Sequence, residues 1–253
     1  MGFLRRNAIR VIVYTSPVAA LLYAFLIEPH WLAVREVDLA DKPSLRIVLI
    51  SDLHHKGDRA YLERVVQRIN ELAPDFVCFT GDLIEDSAYL EETLDVLKGI
   101  KQPLYGVPGN HEFWSHSRFD LVEEAFKSTG GAWLDNEVLE ILDGRVTLIG
   151  VADNKIPEVP QDTRGKRILL AHHPDIIEKL EGQHFDAIFS GHSHGGQVRL
   201  PFWGAIIVPP RTGKHDRGLF ETPAGPHYVN PGIGTWYKRI RFLCRPEITV
   251  ILL

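Results

Sequence analysis

Residues 46–55 read RIVLISDLHH. Arg46 to Ser51 is a short run rich in β-branched apolar residues, the pattern of a strand buried on both faces. Asp52-Leu53-His54 follows without a break. In extended chain, residues i and i+2 point to the same side. Asp52 and His54 are therefore expected to face one point while Leu53 returns to the core. The arrangement recurs along the chain. Phe76 to Thr80 runs into Gly81-Asp82, and Pro103 to Val107 into Gly109-Asn110-His111-Glu112. Arg167 to Ala171 runs into His172, and Asp186 to Ser190 into Gly191-His192-Ser193-His194. The i, i+2 spacing applies again to His192 and His194, with Ser193 turned away as a structural residue. The glycines at 81, 109 and 191 permit sharp turns and close backbone approach.

Helical stripes lie between these strands. Leu62, Val65, Val66, Ile69 and Leu72 mark one over Arg59 to Leu72, stopped by Pro74 and Asp75. Ala88 to Leu97 and Phe119 to Lys127 carry two more, the second closed by Gly130-Gly131. A short helix is expected over Asp175 to Leu180, with Asp175 as a first-turn acid. Val138 to Leu142 and Val146 to Val151 flank Asp143-Gly144, a hairpin signal. Beyond residue 195 the chain is rich in Gly and Pro and reads mostly as β. Alternation followed by a β tail predicts an α/β fold of two packed mixed β-sheets flanked by helices.

Composition narrows the function. The 253 residues, 45% apolar and 24% charged, suffice for one sizeable core. A mean hydropathy of −0.06 excludes a multi-span membrane protein. The formal charge of −5 argues against a nucleic-acid partner. Cys78 and Cys244 are the only cysteines, so there is neither a disulfide framework nor a thiolate zinc cluster, and Cys78 reads as a small core residue. Oligomeric state is not legible.

The polar clusters supply Asp52, His54, Asp82, Asn110, His172, His192 and His194. These are hard or borderline donors without thiolate, which suits Mn²⁺, Fe, Zn²⁺ or Mg²⁺. They exceed the needs of one tetrahedral ion and suit two divalent ions sharing a bridging carboxylate, for which Asp82 is the natural choice. The remaining histidines read differently. His55 is expected to face solvent, and His173 adjoins His172 with the same ambiguity. His30, His116, His184, His215 and His227 read as surface or loop residues. Glu112 either orients a neighbour or caps a turn.

The ordered set DLH at 52, GD at 81, GNHE at 109, His172 in LLAHHPD and GHSH at 191 resembles the calcineurin-like metallophosphoesterase family over roughly residues 45–250. The resemblance implies a two-sheet sandwich with a dinuclear centre at the sheet edge, and an enzyme that hydrolyses phosphoric esters or anhydrides. It implies that Asp52, His54 and His194 hold one ion, that Asn110, His172 and His192 hold the other, and that Asp82 bridges. His111 is then a catalytic histidine outside the ligand set. Two such ions would clamp the phosphoryl oxygens and acidify a water for in-line attack, with His111 protonating the leaving oxygen.

Val11 to Ile27 is an uncharged run preceded by Arg5, Arg6 and Arg10. Its length, about 26 Å as a helix, is near the lower limit for crossing a bilayer. Residues 1–40 are therefore expected to be a membrane anchor or signal-like segment and linker, with a buried helix of the soluble domain as the third reading, and residues 41–253 the catalytic domain. Glu28-Pro29-His30-Trp31 and Arg245-Pro246-Glu247-Ile248-Thr249 resemble a bacterial membrane-associated phosphodiesterase subgroup, similar to one lineage of UDP-2,3-diacylglucosamine pyrophosphatase. That resemblance implies a membrane location, a lipid-linked substrate and a place in lipid A synthesis. The better-known lineage carries a helical lid for which residues 173–191 are too few. Residues 199–217, RLPFWGAIIVPPRTGKHDR, place apolar and basic side chains close after His194, which would suit an acyl chain and a phosphate on one substrate. The alternatives are a broad phosphodiesterase or phosphomonoesterase, exported or anchored, and a non-catalytic scaffold of the same fold.

Overall fold

The structure is a computed structural model that describes residues 17–152, 156, 159 and 165–253. Strand β2 (Arg46–Ile50) lies inside a six-stranded sheet. Ile47 and Leu49 point into the space between two sheets, beside Phe76, Cys78 and Tyr105. Val48 and Ile50 point the other way, onto helices. Both faces are buried, which is why the run is apolar throughout instead of alternating.

The first sheet has the order β1 (Ala33–Asp38), β14 (Glu247–Leu252), β2, β3 (Phe76–Phe79), β4 (Leu104–Gly106), β5 (Ala132–Trp133). From β2 to β5 it is parallel, while β14 is antiparallel to β2 and parallel to β1. The second has the order β12 (Gly218–Thr222), β13 (Gly225–Val229), β9 (Ala187–Ser190), β8 (Lys166–Ala171), β7 (Val146–Val151), β6 (Val138–Ile141). It is parallel from β13 to β7 and antiparallel at both edges. The expected hairpin at Asp143-Gly144 joins β6 to β7. A small ribbon, β10 (Arg199–Leu200) with β11 (Gly204–Ala205), stands apart.

Helices α1 (Arg59–Leu72), α2 (Leu90–Leu97) and α4 (Phe119–Ser128) cover the outer face of the first sheet. The Asp58 side chain accepts from the Tyr61 N–H at the start of α1, and Ala73 ends it in the left-handed conformation just before Pro74. The short helix expected over Asp175 to Leu180 is a 3₁₀ helix, Pro174–Lys179, and covers the second sheet. Asp175 lies in its first turn. Two mixed sheets flanked by helices is the fold class the sequence predicts.

Several expectations need correction. A domain boundary at residue 41 leaves out β1, which pairs along its whole length with β14. Its exposed, charged face gave no apolar signature. His55 does not face solvent: it is buried, and its Nε2 lies 2.5 Å from Glu92. His227 is fully buried in β13, with Nε2 3.0 Å from the Ser190 hydroxyl, and His215 stacks on Phe220 beside it. The partners of His55 and His227 each lie 37 residues away along the chain, so sequence neighbours gave no hint.

Of the Val11 to Ile27 segment, residues 11–16 lie outside the described residues. Residues 17–22 are helical and run on through a π turn, Tyr23–Ile27, and a 3₁₀ turn, Glu28–His30. The Ala24 carbonyl accepts from Arg241 N–H at 2.9 Å, and the buried Glu28 carboxylate accepts from Leu243 and Cys244 N–H. Among the described residues, no helix is long and apolar enough to cross a membrane.

Arg241 is among the largest fully buried side chains of the described residues. Its guanidinium donates to the carbonyls of Pro231, Gly232, Gly234 and Cys244, and so ties the loop after β13 to the segment before β14. Arg241→Met would strand these acceptors. The expected loss of unfolding free energy is about 3 kcal/mol. Urea denaturation measures it, and Arg241→Lys should recover only part, because an ammonium cannot span the fork.

Candidate metal centre

The parallel strands of both sheets end at one edge, and the polar clusters sit on the loops that leave them. The first sheet brings Asp52, His54, Asp82, Asn110 and His111. The second brings His172, His192 and His194. All but Asn110 are buried, and Asn110 lines the same cleft.

The side chains meet in two groups. In one, His194 Nε2 is 3.0 Å from His54 Nε2 and 3.4 Å from Asp52 Oδ1. In the other, His172 Nε2 is 3.0 Å from Asn110 Oδ1 and 3.1 Å from His192 Nδ1. Asp82 Oδ2 joins them, at 3.3 Å from both His54 Nε2 and His172 Nε2. All seven donors named from the sequence thus share one pocket. His172 reaches Asp82, while His173 packs 4.4 Å from the His192 ring at the cleft wall.

The expected route to this convergence was extended chain, and the backbone takes another. Asp52, His54, Asp82, His192 and His194 all have positive φ, between 40° and 63°. Left-handed backbone is costly for residues other than glycine and persists where surrounding contacts over-determine it. Those contacts are present. Asp52 N–H donates to the Gly81 carbonyl, His54 N–H to the Asp82 carbonyl, and His192 N–H to both Asp52 oxygens. The loops also approach too closely for side chains: a Cβ on Gly109 would overlap the Asp82 carboxylate, and one on Gly191 the Ser51 hydroxyl. Asn110 and His111 open a short helix, α3 (Asn110–Trp114), which carried no signal in the sequence.

Hydrogen bonds behind the ring nitrogens set their tautomers. His172 Nδ1–H donates to the Thr80 carbonyl at 2.7 Å, and His192 Nε2–H to the Pro210 carbonyl at 2.7 Å. His54 Nδ1–H donates to Glu85 at 2.8 Å. The other nitrogen of each ring then turns its lone pair into the pocket. Lone pairs facing carboxylates and one another at about 3 Å require positive charge between them, so the donor set fits bound cations.

Protons can supply part of that positive charge. Burial pushes Asp52 up to about 6, restrained by His172 and His54. Asp82, equally buried, is held well below the usual carboxylate range by the same two histidines. Burial alone would depress His54 and His172, yet the carboxylates raise both to about 9. His192 falls to about 3 through burial and the charge on His172.

Glu112 and Glu85 support the centre. The Glu112 carboxylate accepts from Gly109 N–H at 2.6 Å, Leu83 N–H at 2.6 Å and Asp82 N–H at 3.0 Å, so it both caps α3 and locks the loop carrying Asp82. Burial and the Asp82 charge push Glu112 up to about 7 against those donors. Glu85 escaped the sequence reading, although its place three residues after Asp82 is a signal for it. A cavity of about 530 Å³ opens over the centre, and His111, Trp114, Arg211 and Trp236 lie on its wall. Arg211 is paired with Asp175 at 3.2 Å.

Residues 45–196 match the model of the calcineurin-like phosphoesterases. The chain belongs to that family. It is a hydrolase of phosphoric esters, and the fold implies divalent metal ions. The metallophosphoesterase YkuE of Bacillus subtilis (strain 168) is 31% identical over 91% of this chain and 88% of its own length. A protein named UDP-2,3-diacylglucosamine pyrophosphatase LpxG, from Chlamydia muridarum, is 28% identical over 94% of both chains. Phosphodiesterase YaeI of Escherichia coli (strain K12) is 27% identical over 90% of this chain and 91% of its own length.

Glu112→Ala would leave three buried N–H groups without acceptors. We expect a loss of about 3 kcal/mol in unfolding free energy, read by urea titration. Glu112→Gln should cost less, since its amide oxygen still accepts from part of the set.

Proposed function

We propose that the chain hydrolyses a phosphodiester or pyrophosphate bond of a lipid-linked substrate at a membrane, using two divalent cations, manganese foremost. The observation that carries the reading is the Asp82 carboxylate, one oxygen of which stands 3.3 Å from a ring nitrogen in each histidine group. Asp52, His54 and His194 would hold one cation and Asn110, His172 and His192 the other, with Asp82 as the carboxylate they would share. Cations held there supply Lewis-acid charge to the phosphoryl oxygens and acidify the attacking water.

His111 is the catalytic histidine. Its backbone N–H donates to Asp82 Oδ1 at 2.8 Å, which fixes the residue beside the bridge. Its Nε2 is buried and has no hydrogen-bond partner, although the residue lines the cleft. A substrate's leaving oxygen is the natural partner for that atom. Burial lowers the imidazole pKa, which makes its protonated form the stronger acid. Glu85 and the Trp114 ring, 3.7 and 5.0 Å away, confine the imidazole.

The lipid-linked part of the reading is supported by the likeness to LpxG and by the apolar chain around Ile206 and Ile207 beside the cleft. The membrane part is supported by the N-terminal helix, which leaves Leu21, Leu22, Phe25 and Leu26 exposed.

His111→Ala should retain both cations by elemental analysis while kcat on a nitrophenyl phosphodiester falls by about 10²–10⁴. An unchanged rate would remove His111 from catalysis. Asp82→Ala should purify with less than the full metal complement. Release of UMP from UDP-2,3-diacylglucosamine tests the finer substrate assignment. Hydrolysis of simple diesters without UMP release would leave a broad phosphodiesterase, in line with the likeness to YaeI.

A further inference from the structure

A second cavity, of about 330 Å³, lies against the catalytic one. Val198, Ile206, Ile207, Tyr237 and Ile240 supply its apolar lining beside Gln197 and Lys238, and His194, Pro209 and Trp236 are shared with the catalytic cavity. A group bound at the donor cluster therefore lies beside an apolar recess, across the partition formed by His194, Pro209 and Trp236.

What would fill the recess is indicated by its surroundings. Among the described residues, Ile206 and Ile207 on this wall are 52% and 70% exposed. The β10–β11 ribbon that leads into this wall carries Phe202 and Trp203 at its turn, 110% and 83% exposed. The opposite wall continues from Ile240 into Arg241 and Phe242, on which the N-terminal helix is docked through Ala24 and Tyr23. Val198 and Phe242 are bridged, so ribbon, wall and helix are contiguous. Exposed apolar side chains thus surround the mouth of the recess, with the Lys238 side chain beside them. Apolar surface of this extent marks a contact with another apolar phase. Polar heads bound at the metals and hydrocarbon beside them describe an amphiphile.

We propose that this recess holds the hydrocarbon chain of a phosphoester that the enzyme draws from a bilayer, with Trp236 standing where chain and headgroup meet. The proposal rests on the catalytic reading of the neighbouring cleft, and it specifies where the substrate's apolar part binds.

The test titrates n-alkylphosphonates of increasing length into the Mn²⁺-loaded protein by calorimetry, each below its critical micelle concentration. Phosphonates occupy the phosphoryl position and are not hydrolysed. Affinity should rise with each added methylene, up to about fourfold per methylene at full burial. In Ile207→Asp the series should flatten, and in Ile207→Trp, which fills the recess, the gain should stop at a shorter chain. Ile207 is largely exposed, so neither change threatens folding. A flat series for the unmodified protein, or a slope that survives both substitutions, overturns the proposal. A flat series together with concentration-dependent dimerisation assigns the recess to a second copy of this chain. Failure of the same preparation to hydrolyse a nitrophenyl diester counts against the catalytic reading alone, because the binding series needs no turnover.

Discussion

A single buried carboxylate, that of Asp82, ties the two sheets into one site. One of its oxygens stands between His54 from the first sheet and His172 from the second. The other accepts the His111 N–H, and the backbone on either side is fixed by Glu112 and His54. Burying an ionised carboxylate is costly unless it is paired and fully hydrogen-bonded. Here the cost is met only when both sheets contribute, so the correct packing of the sandwich and the assembly of the pocket are one event.

The same economy explains the backbone. Donors on five separate loops must converge within a space of a few ångströms, and extended chain cannot supply the required angles. The loops turn through left-handed conformations at Asp52, Asp82 and His192, which cost roughly 1 kcal/mol or more each. The strain is held by hydrogen bonds from loop to loop and is tolerated because the strands beneath are rigid and buried. A site so constrained cannot relax when its charges change. Fixed geometry is what electrostatic stabilisation of a transferring phosphoryl group demands, since donors that need not reorganise keep their full effect.

The sequence discloses this architecture unevenly, and the reasons are physical. Arg59–Leu72 is legible because its apolar stripe has the helical period, and β2 because a strand buried on both faces has no polar alternation. Strand β1 is illegible because it is an exposed, charged edge whose pairing partner, β14, lies more than 200 residues away. The donors are legible because uncommon residue types recur after strand-like runs. Their backbone conformation is not, because it is set by contacts such as His192 N–H to Asp52, which local sequence does not encode. His55 and His227 fail for the same reason: each is buried by a partner supplied from elsewhere in the chain. Trp236 carries no motif at all, and only the folded chain sets it beside His194.

The cleft is asymmetric, and that asymmetry constrains what can bind. Its floor is charged and densely hydrogen-bonded, with His111 Nε2 left open, while one side opens onto a recess whose exposed surface is mostly apolar. A small hydrophilic ester would touch only the floor and leave the recess to water, which gains little from apolar walls. An amphiphile satisfies both surfaces at once, and binding energy from its remote apolar part can then orient the phosphorus over the metal-binding donors. The wall that supplies this contact is not independent of the centre. Pro210, whose carbonyl fixes the His192 ring, follows Pro209 on the shared partition. Ile206 and Ile207 thus stand four and three residues before the carbonyl that holds the His192 ring, so the apolar wall and the polar floor are parts of one short segment.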